Sequence, residues 1–161
     1  MHEKTVDKVV ANGEASRLFT EILDSGADLR MRVTGSSMAP TIRDGDQVTL
    51  RKIPAGKLVP GDIVWLIDNS GNSVVHRIMK KRVRLEKTCL HTKGDALIEY
   101  DQWADEKNIL GKICRIEKTR AGRPPRSINL ETARWRAAGF IITLFQIMRS
   151  KVVLAVRSRL S

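Results

Sequence analysis

The spacing of hydrophobic positions changes near residue 28. Before that point four apolar side chains recur at helical spacing: Leu18, Phe19, Ile22 and Leu23. Together with Gly26 as a C-cap, this spacing predicts a short amphipathic helix over residues 14–25. From residue 29 onward, strict alternation and short apolar runs replace the helical spacing, which indicates β-strands.

The middle of the chain alternates strand-like runs with turn-forming residues. Strands are predicted at residues 29–33, 48–53, 63–67, 74–79, 83–85, 89–92 and 109–116. Residues 60–62 and 68–72 are rich in Pro, Gly, Asp and Asn and predict turns, while residues 94–95 and the acidic stretch 99–106 predict loops. This pattern predicts a mainly β, compact domain.

After the β-rich region the pattern returns to long apolar runs. Residues 120–126 include Gly122, Pro124 and Pro125 and read as a linker. An apolar run over residues 135–148 follows, then Arg149-Ser150-Lys151, then a second run at residues 152–156. The first run is too short for a bilayer, which needs ~20 apolar residues, and the break would lie inside any longer span. A simple transmembrane helix is therefore not predicted.

These patterns divide the chain into four parts. Residues 1–28 form an N-terminal helical segment, residues 29–118 the β-rich domain, residues 119–129 a linker, and residues 130–161 a basic, apolar C-terminal helical segment. The only early apolar pair, Val9-Val10, is flanked by charged and polar residues, so no N-terminal signal or anchor is predicted. A chain of 161 residues suits one ordinary domain with its own core.

Charge is concentrated at the C-terminal end. Residues 1–111 hold 17 Lys and Arg against 16 Asp and Glu, whereas residues 112–161 hold 12 against 2. Such a segment attracts phosphate, either of anionic lipid or of nucleic acid. Because no helix-turn-helix pattern precedes the β domain and the tail lacks aromatics interleaved for base stacking, nucleic acid is the weaker alternative.

The C-terminal segment has two interpretations. In the first, a helix or helix pair lies in the headgroup region, with Trp135 at the interface and six basic residues on anionic lipid: Arg134, Arg136, Arg149, Lys151, Arg157 and Arg159. In the second, the helix packs on its own domain or on a second copy. The first interpretation predicts association with the cytoplasmic membrane, peripherally through residues 134–159, and the second a cytoplasmic protein.

The cysteines and histidines provide no metal site. Cys89 and Cys114 form no CxxC pair and no disulfide framework, which fits small core residues in a reducing compartment. Cys89 and His91 have strand spacing, but too few further ligands remain to close a site. No metal and no cofactor are predicted.

A serine-rich turn is the first candidate for chemistry. Residues 34–41 read Thr-Gly-Ser-Ser-Met-Ala-Pro-Thr and follow a predicted strand, with Asp44-Gly45-Asp46 shortly after. A serine at such a turn exposes its hydroxyl beside free backbone N–H groups, the setting of an acyl-transfer nucleophile and its oxyanion hole. Taken alone, the same turn also fits a capping serine.

Four motifs in order resemble the type I signal peptidases. They are the serine turn with Asp-Gly-Asp, Pro60-Gly61-Asp62-Ile63-Val64, Val75-His76-Arg77-Ile78 and Thr92-Lys93-Gly94-Asp95, and the resemblance covers roughly residues 30–116. The resemblance implies a signal-peptidase/LexA-like β domain and a serine endopeptidase that cleaves signal or leader peptides. It makes Ser37 the nucleophile, with Ser37, Gly35 and Met38 at the oxyanion and substrate-binding position.

The histidine in the third motif points to one branch of that family. Most bacterial members use a lysine base, whereas the endoplasmic-reticulum, archaeal and sporulating-bacterium type carries His-Arg at this place, as His76 and Arg77 do here. In a strand His76 shares a face with Val74 and Ile78, where a neutral imidazole can accept the serine proton. Lys80 lies on the same predicted face and is the fallback base.

A histidine base needs a carboxylate to fix its tautomer. By resemblance Asp101 is the predicted orienting acid and Asp95, in the last motif, is the second candidate. Residues 96–100 differ from the Asn-Asn or Asn-Arg that is usual in the family at this loop. By resemblance too, the substrate is an extended polypeptide with small side chains, such as Ala, one and three residues before the cut.

Two further hypotheses stay open. The first is a LexA and UmuD-like self-cleaving peptidase, a family that shares the fold and a Gly-x-Ser-Met motif. His76 argues against it, because this family uses a lysine base. The ~28 residues before the first strand also provide no DNA-binding domain. A non-catalytic protein on the same fold would bind membrane or nucleic acid, and its activity would survive replacement of Ser37.

Overall fold

The fold is a curled, mainly antiparallel β-sheet with one helix between its first two strands and a second helix after its last strand. The computed structural model describes residues 4–6, 13–85, 87–120 and 122–160. Within them the helices are α1 (Gly13–Asp24) and α2 (Ala133–Leu160). The strands are β1 (Lys4–Val6), β2 (Leu29–Arg32), β3 (Gln47–Arg51), β4 (Ile63–Ile67), β5 (Ser73–Arg84), β6 (Lys87–Lys93), β7 (Trp103–Asp105), β8 (Ile109–Arg120) and β9 (Arg123–Asn129). The prediction of a mainly β fold is confirmed.

Strand β8 organises the sheet, whose order is β1-β2-β3-β8-β4-β5-β6-β7. One edge of β8 pairs with β3, and the other pairs first with β4 and then with β9. All these pairs are antiparallel; only β1, among the described strands, runs parallel to its neighbour. The consecutive strands β4, β5 and β6 therefore lie side by side, and they carry the second, third and fourth sequence motifs at or next to their ends.

Alternating side chains build the main core. Leu29 and Met31 of β2 point inward while Arg32 is exposed, and Val48 and Leu50 of β3 repeat the pattern. Helix α1 adds Phe19, Ile22 and Leu23 to this cluster, with the Phe19 ring 5.6 Å from that of Trp65. The predicted helix thus packs its apolar face on the sheet and ends at Asp24, two residues before Gly26, whose φ is +80°.

Several elements differ from the sequence prediction. Strand β5 is continuous over 12 residues where two runs were expected, and β7 lies inside the predicted acidic loop. Residues 123–129 form β9 where a linker is predicted. Pro124 and Pro125 are accommodated because β9 pairs only with β8 and the register shifts beside them, and an edge strand needs no ladder N–H from either residue. Residues 1–3 and 7–12 of the predicted N-terminal segment lie outside the described residues.

Helix α2 is a single helix that docks on the domain through its polar stripe. Thr143, Gln146 and Ser150 recur at helical spacing and are all buried. Gln146 accepts from Lys93 Nζ (2.7 Å) and donates to the Asp95 carbonyl (2.7 Å), and Ser150 donates to the Ile98 carbonyl (2.9 Å). The helix therefore packs on its own domain, and it does so through hydrogen bonds to the last residue of β6 and to the segment that follows it.

A glycine pair allows the close approach of α2. A Cβ at Gly139 would lie 2.9 Å from the Gly61 carbonyl oxygen, and one at Gly61 would lie 3.0 Å from the Gly139 carbonyl carbon. Gly61 also has a φ of +99°, a conformation that other residues rarely adopt. Larger residues at either position would push the helix away. None of the described helices is long and apolar enough to cross a membrane.

The stability of the domain should depend on the polar face of α2. Gln146→Leu removes an acceptor from the fully buried Lys93 ammonium, so we expect the free energy of unfolding to fall by about 2–3 kcal/mol in urea denaturation. The matched control is Leu144→Gln on the exposed face, which should change it by less than about 0.5 kcal/mol. Equal effects of the two substitutions would contradict this docking mode.

Candidate active site

The serine turn follows β2 and places Ser37 next to the main core, where its side chain is still partly accessible to solvent. Gly35 has a φ of +97°, and its N–H donates to Asp44 Oδ1 (3.0 Å), which fixes the reversal of the chain. Met38 is buried in the main core and anchors the turn from below. Ser37 between them is half-buried, so its hydroxyl is both held in place and accessible.

His76 of β5 lies beside this hydroxyl. It pairs with Val64 of β4 in the sheet, and its side chain is almost fully buried. The Nε2 atom is 3.3 Å from Ser37 Oγ, close enough for proton transfer once substrate tightens the contact. The position of the imidazole is therefore set by the sheet register and not by a flexible loop.

Asp101 completes a hydrogen-bonded chain with these two residues. Its Oδ2 is 2.6 Å from His76 Nδ1 and accepts a hydrogen bond from Thr92 Oγ1 (2.6 Å), while its N–H donates to the Thr92 carbonyl (3.0 Å). Because an ionised carboxylate only accepts, Nδ1 carries the proton and Nε2 is left with the lone pair that faces Ser37.

The charge of Asp101 is stabilised despite its burial. Desolvation alone would raise the pKa of Asp101, but the hydrogen bonds from His76 and Thr92 and the nearby imidazoles outweigh it, and its pKa is lowered below the ordinary value. The carboxylate is therefore ionised at neutral pH and can stabilise an imidazolium at His76.

A stack of rings supports the segment around Asp101. The His91 ring lies between Tyr100 and Trp103, each 4.7 Å away between centroids, and Arg82 covers the outer face of Trp103 at 4.0 Å. Burial is the main cause that lowers the pKa of His91 below its ordinary value. No group of three or more potential metal ligands occurs among the described residues.

Asp95 has a different partner from Asp101. Its carboxylate forms a bidentate ion pair with Arg77, with distances of 2.8 Å to Nε and 2.7 Å to Nη2, and also accepts from Thr41 Oγ1 (2.5 Å). The Arg77 and Asp95 side chains are only 3% and 2% exposed. Both carboxylate oxygens of Asp95 are therefore occupied by Arg77 and Thr41. Of the two predicted acids, Asp101 is the one that contacts His76.

Arg77 joins all four sequence motifs. It belongs to the third, pairs with Asp95 of the fourth, donates to the Gly61 carbonyl of the second (2.9 Å) and lies 3.3 Å from Thr41 Oγ1 of the first. Residues far apart in sequence are thus fixed around one guanidinium group, directly behind the strand that carries His76.

The serine turn and the fourth motif are in backbone contact. The Ser37 carbonyl accepts from the Ala96 N–H (2.8 Å), and a Cβ at Gly94 would lie only 2.6 Å from that carbonyl oxygen. The glycine of the Thr-Lys-Gly-Asp motif is therefore required by space. This contact fixes the serine turn relative to the segment that leads to Asp101.

The backbone N–H groups near Ser37 differ in their availability. Gly35 N–H already donates to Asp44, whereas the Ser37 and Met38 N–H groups have no acceptor within the described part of the chain. The Ser37 amide, for which the sequence predicts a role at the oxyanion, therefore has its N–H available to donate to one. Lys80, the fallback base, is exposed and lies 5.7 Å from the centroid of the Tyr100 ring, so it is His76 that contacts Ser37.

A hydroxyl, an imidazole and a carboxylate in this order, on a mainly β domain, define a site of the serine peptidase kind. The model of the family described as Peptidase S24-like matches residues 7–114, more than half of the chain. The chain belongs to this family, which places it in the serine peptidase superfamily of LexA, UmuD and signal peptidase I. A search of curated proteins finds no match.

Sequence reasoning missed several residues that build the site. The sequence identifies Arg77 only as the neighbour of His76 and Thr92 only as part of a motif, although each binds one of the two acids. Their occurrence inside ordered motifs was the available signal. Gln146 gave no signal, because its contacts to Lys93 and Asp95 depend on how α2 docks.

Breaking the buried ion pair between Arg77 and Asp95 should lower the stability of the domain. Asp95→Asn leaves the Arg77 charge buried without a counterion, so we expect the free energy of unfolding to fall by about 3–5 kcal/mol, measured by chemical denaturation. Asp105→Asn, at an exposed position on β7, is the control and should be nearly neutral. A small effect at Asp95 would mean that the motifs are held together in another way.

The lowered pKa of Asp101 predicts a pH-dependent contribution to stability. A carboxylate whose pKa is lower in the folded than in the unfolded state stabilises fully above the unfolded value, ~3.9, and loses this contribution as the pH falls through the folded value. The difference in unfolding free energy between wild type and Asp101→Asn should therefore shrink between about pH 5 and pH 2. A difference that stays constant over this range would contradict the ionised state of Asp101.

Proposed function

We propose that this chain is a serine endopeptidase of the signal peptidase I kind, which cleaves signal or leader peptides after small residues. The hydrogen-bonded chain from Ser37 through His76 to Asp101 is the observation that carries the proposal. The order of the four motifs and the histidine, in place of lysine, beside the serine favour the histidine type of signal peptidase.

The geometry supports a two-step acyl transfer. Ser37 Oγ attacks the scissile carbonyl carbon while His76 Nε2 accepts the hydroxyl proton, and the Ser37 N–H stabilises the oxyanion. The imidazolium, stabilised by Asp101, then gives its proton to the leaving amine as the peptide C–N bond breaks. A water molecule, deprotonated by His76, hydrolyses the acyl-enzyme and restores the hydroxyl of Ser37.

A cleft beside Ser37 has the form required for an extended peptide. Its volume is about 330 Å³, and it lies between residues 31–38 and residues 71–75, with the buried Trp65 at its floor. The first residues of β5, Ser73–Val75, pair with β4 on one side, whereas β6 begins to pair only at Arg77. A substrate strand can therefore add to the free edge of β5, with alternate side chains directed into the cleft.

The family match also favours a second candidate, self-cleavage of the LexA and UmuD kind. The two candidates differ in whether the scissile bond lies in another polypeptide or in this chain. They also differ in the base, because a lysine mechanism would require Lys80 and the proposed mechanism requires His76. Both differences can be measured in one set of reactions.

The test incubates the purified chain with peptides that carry an Ala-x-Ala site and follows the products by mass spectrometry. Cleavage should occur after the second Ala, and Ser37→Ala, His76→Ala and Asp101→Asn should each lower the rate by about a thousandfold or more, because each breaks the proton-transfer chain. Ser36→Ala, at the exposed neighbouring serine, is the matched control and should retain activity.

Other outcomes distinguish the remaining hypotheses. Cleavage of the chain itself at a rate independent of its concentration, and lost in Lys80→Ala, would establish the self-cleaving candidate instead. Activity that survives Ser37→Ala, or no cleavage of any peptide by a folded wild-type protein, would overturn the peptidase proposal and favour the non-catalytic hypothesis.

A further inference from the structure

Helix α2 has the reverse of the usual arrangement for a surface helix. Its polar stripe of Thr143, Gln146 and Ser150 is buried against the domain, while large apolar side chains point away from it. This outward face consists of Phe140, Ile141, Leu144, Phe145, Met148 and Val152. Because Gln146 and Ser150 of this stripe form hydrogen bonds to the domain, the helix cannot rotate to hide the outward face without losing those bonds.

The outward face is large for a surface exposed to water. Its six side chains are 48–67% exposed, and Val156, one turn further on, is exposed by a similar fraction. From Phe140 to Val156 the face extends over roughly 24 Å of helix. Contiguous apolar surfaces of this kind mark sites of interaction, since isolated exposed apolar residues are ordinary but long stripes are not.

The charge on α2 selects the partner. The helix contains six Lys and Arg residues and no Asp or Glu, and Arg134 and Lys151, whose side chains are exposed, lie at or near the two ends of the outward face. The side chains of Arg157 and Arg159 lie outside the described part of the chain. A second copy would bring like charges together, because each chain carries a formal charge of +11. An anionic bilayer surface satisfies both the apolar face and the basic residues.

We propose that α2 is an interfacial helix, which inserts its outward face at the headgroup boundary of an anionic bilayer while its polar stripe holds the domain. Basic residues beside the outward face contact lipid phosphates, and each contributes about a fivefold gain in binding. The helix lies along the surface, in agreement with the absence of a membrane-spanning helix among those described. This proposal is independent of the proposed function, because it requires no catalytic group.

Vesicle co-sedimentation tests it with the full chain. We expect binding to vesicles of equal parts phosphatidylglycerol and phosphatidylcholine, and much weaker binding to phosphatidylcholine alone or in high salt. Phe145→Ser with Met148→Ser should weaken binding by about tenfold or more. The control, Val83→Ser with Leu85→Ser, removes two apolar side chains that are exposed outside α2 and should bind as wild type does.

Two more variants separate the possible failures. Arg134→Glu with Lys151→Glu leaves the apolar side chains intact and should abolish the preference for anionic vesicles. Ser37→Ala should bind like wild type, so a failed peptidase assay and a failed binding assay are distinguishable. Vesicle binding that is absent in wild type or unchanged in the Phe145 and Met148 variant would overturn the proposal. The proposal would also be overturned if the wild type formed a dimer and bound no vesicles, and the Phe145 and Met148 substitutions dissociated that dimer.

Discussion

The buried ion pair between Arg77 and Asp95 is the interaction on which the arrangement of the site depends. Two charges that are almost fully removed from water are costly unless every donor and acceptor is satisfied, and here the carboxylate and Thr41 meet the guanidinium while the Gly61 carbonyl takes a further N–H. The pair thus holds the four sequence motifs in one arrangement. Each of these motifs either carries a residue of the candidate site or contacts a segment that does.

The alternation of a β-strand connects this pair to the chemistry. His76 and Arg77 are consecutive, so their side chains project to opposite faces of β5. One face presents the imidazole to Ser37 and Asp101, and the other buries the guanidinium group against Asp95. A shift of register by one residue would exchange the two faces and destroy both functions together. The His-Arg dipeptide is therefore one structural unit with two separate tasks.

Much of the candidate site could be predicted because it depends on local patterns. Alternation predicts β2 and β3, and the resemblance to the signal peptidases brings Ser37, His76 and Asp101 into one hypothesis that the geometry supports. The elements that the sequence does not predict correctly are those whose structure depends on long-range contacts. Composition indicated a linker where β9 forms, since a proline's tolerance in a strand depends on whether its edge is paired.

The docking of α2 could not be predicted from its sequence for a related reason. Hydropathy identifies an apolar helix, but which face is buried depends on the partners that the domain offers. Here the domain offers backbone carbonyls and the Lys93 ammonium. Gln146 and Ser150 form hydrogen bonds with these groups, which apolar side chains could not do. Lys93 is fully buried beside Gln146 of α2, and this burial, together with the nearby Arg149, lowers its pKa.

The contacts of α2 also determine an order of assembly. The segment between Asp95 and Asp101 is bound at its start by Gln146, in its middle by Ser150 and at its end by Thr92. During synthesis the chain emerges from its N-terminus, so all four motifs are made before the helix that holds this segment. The stretch that carries Asp101 therefore receives its contacts from Gln146 and Ser150 only after residue 150 has been added, later than all four motifs are made.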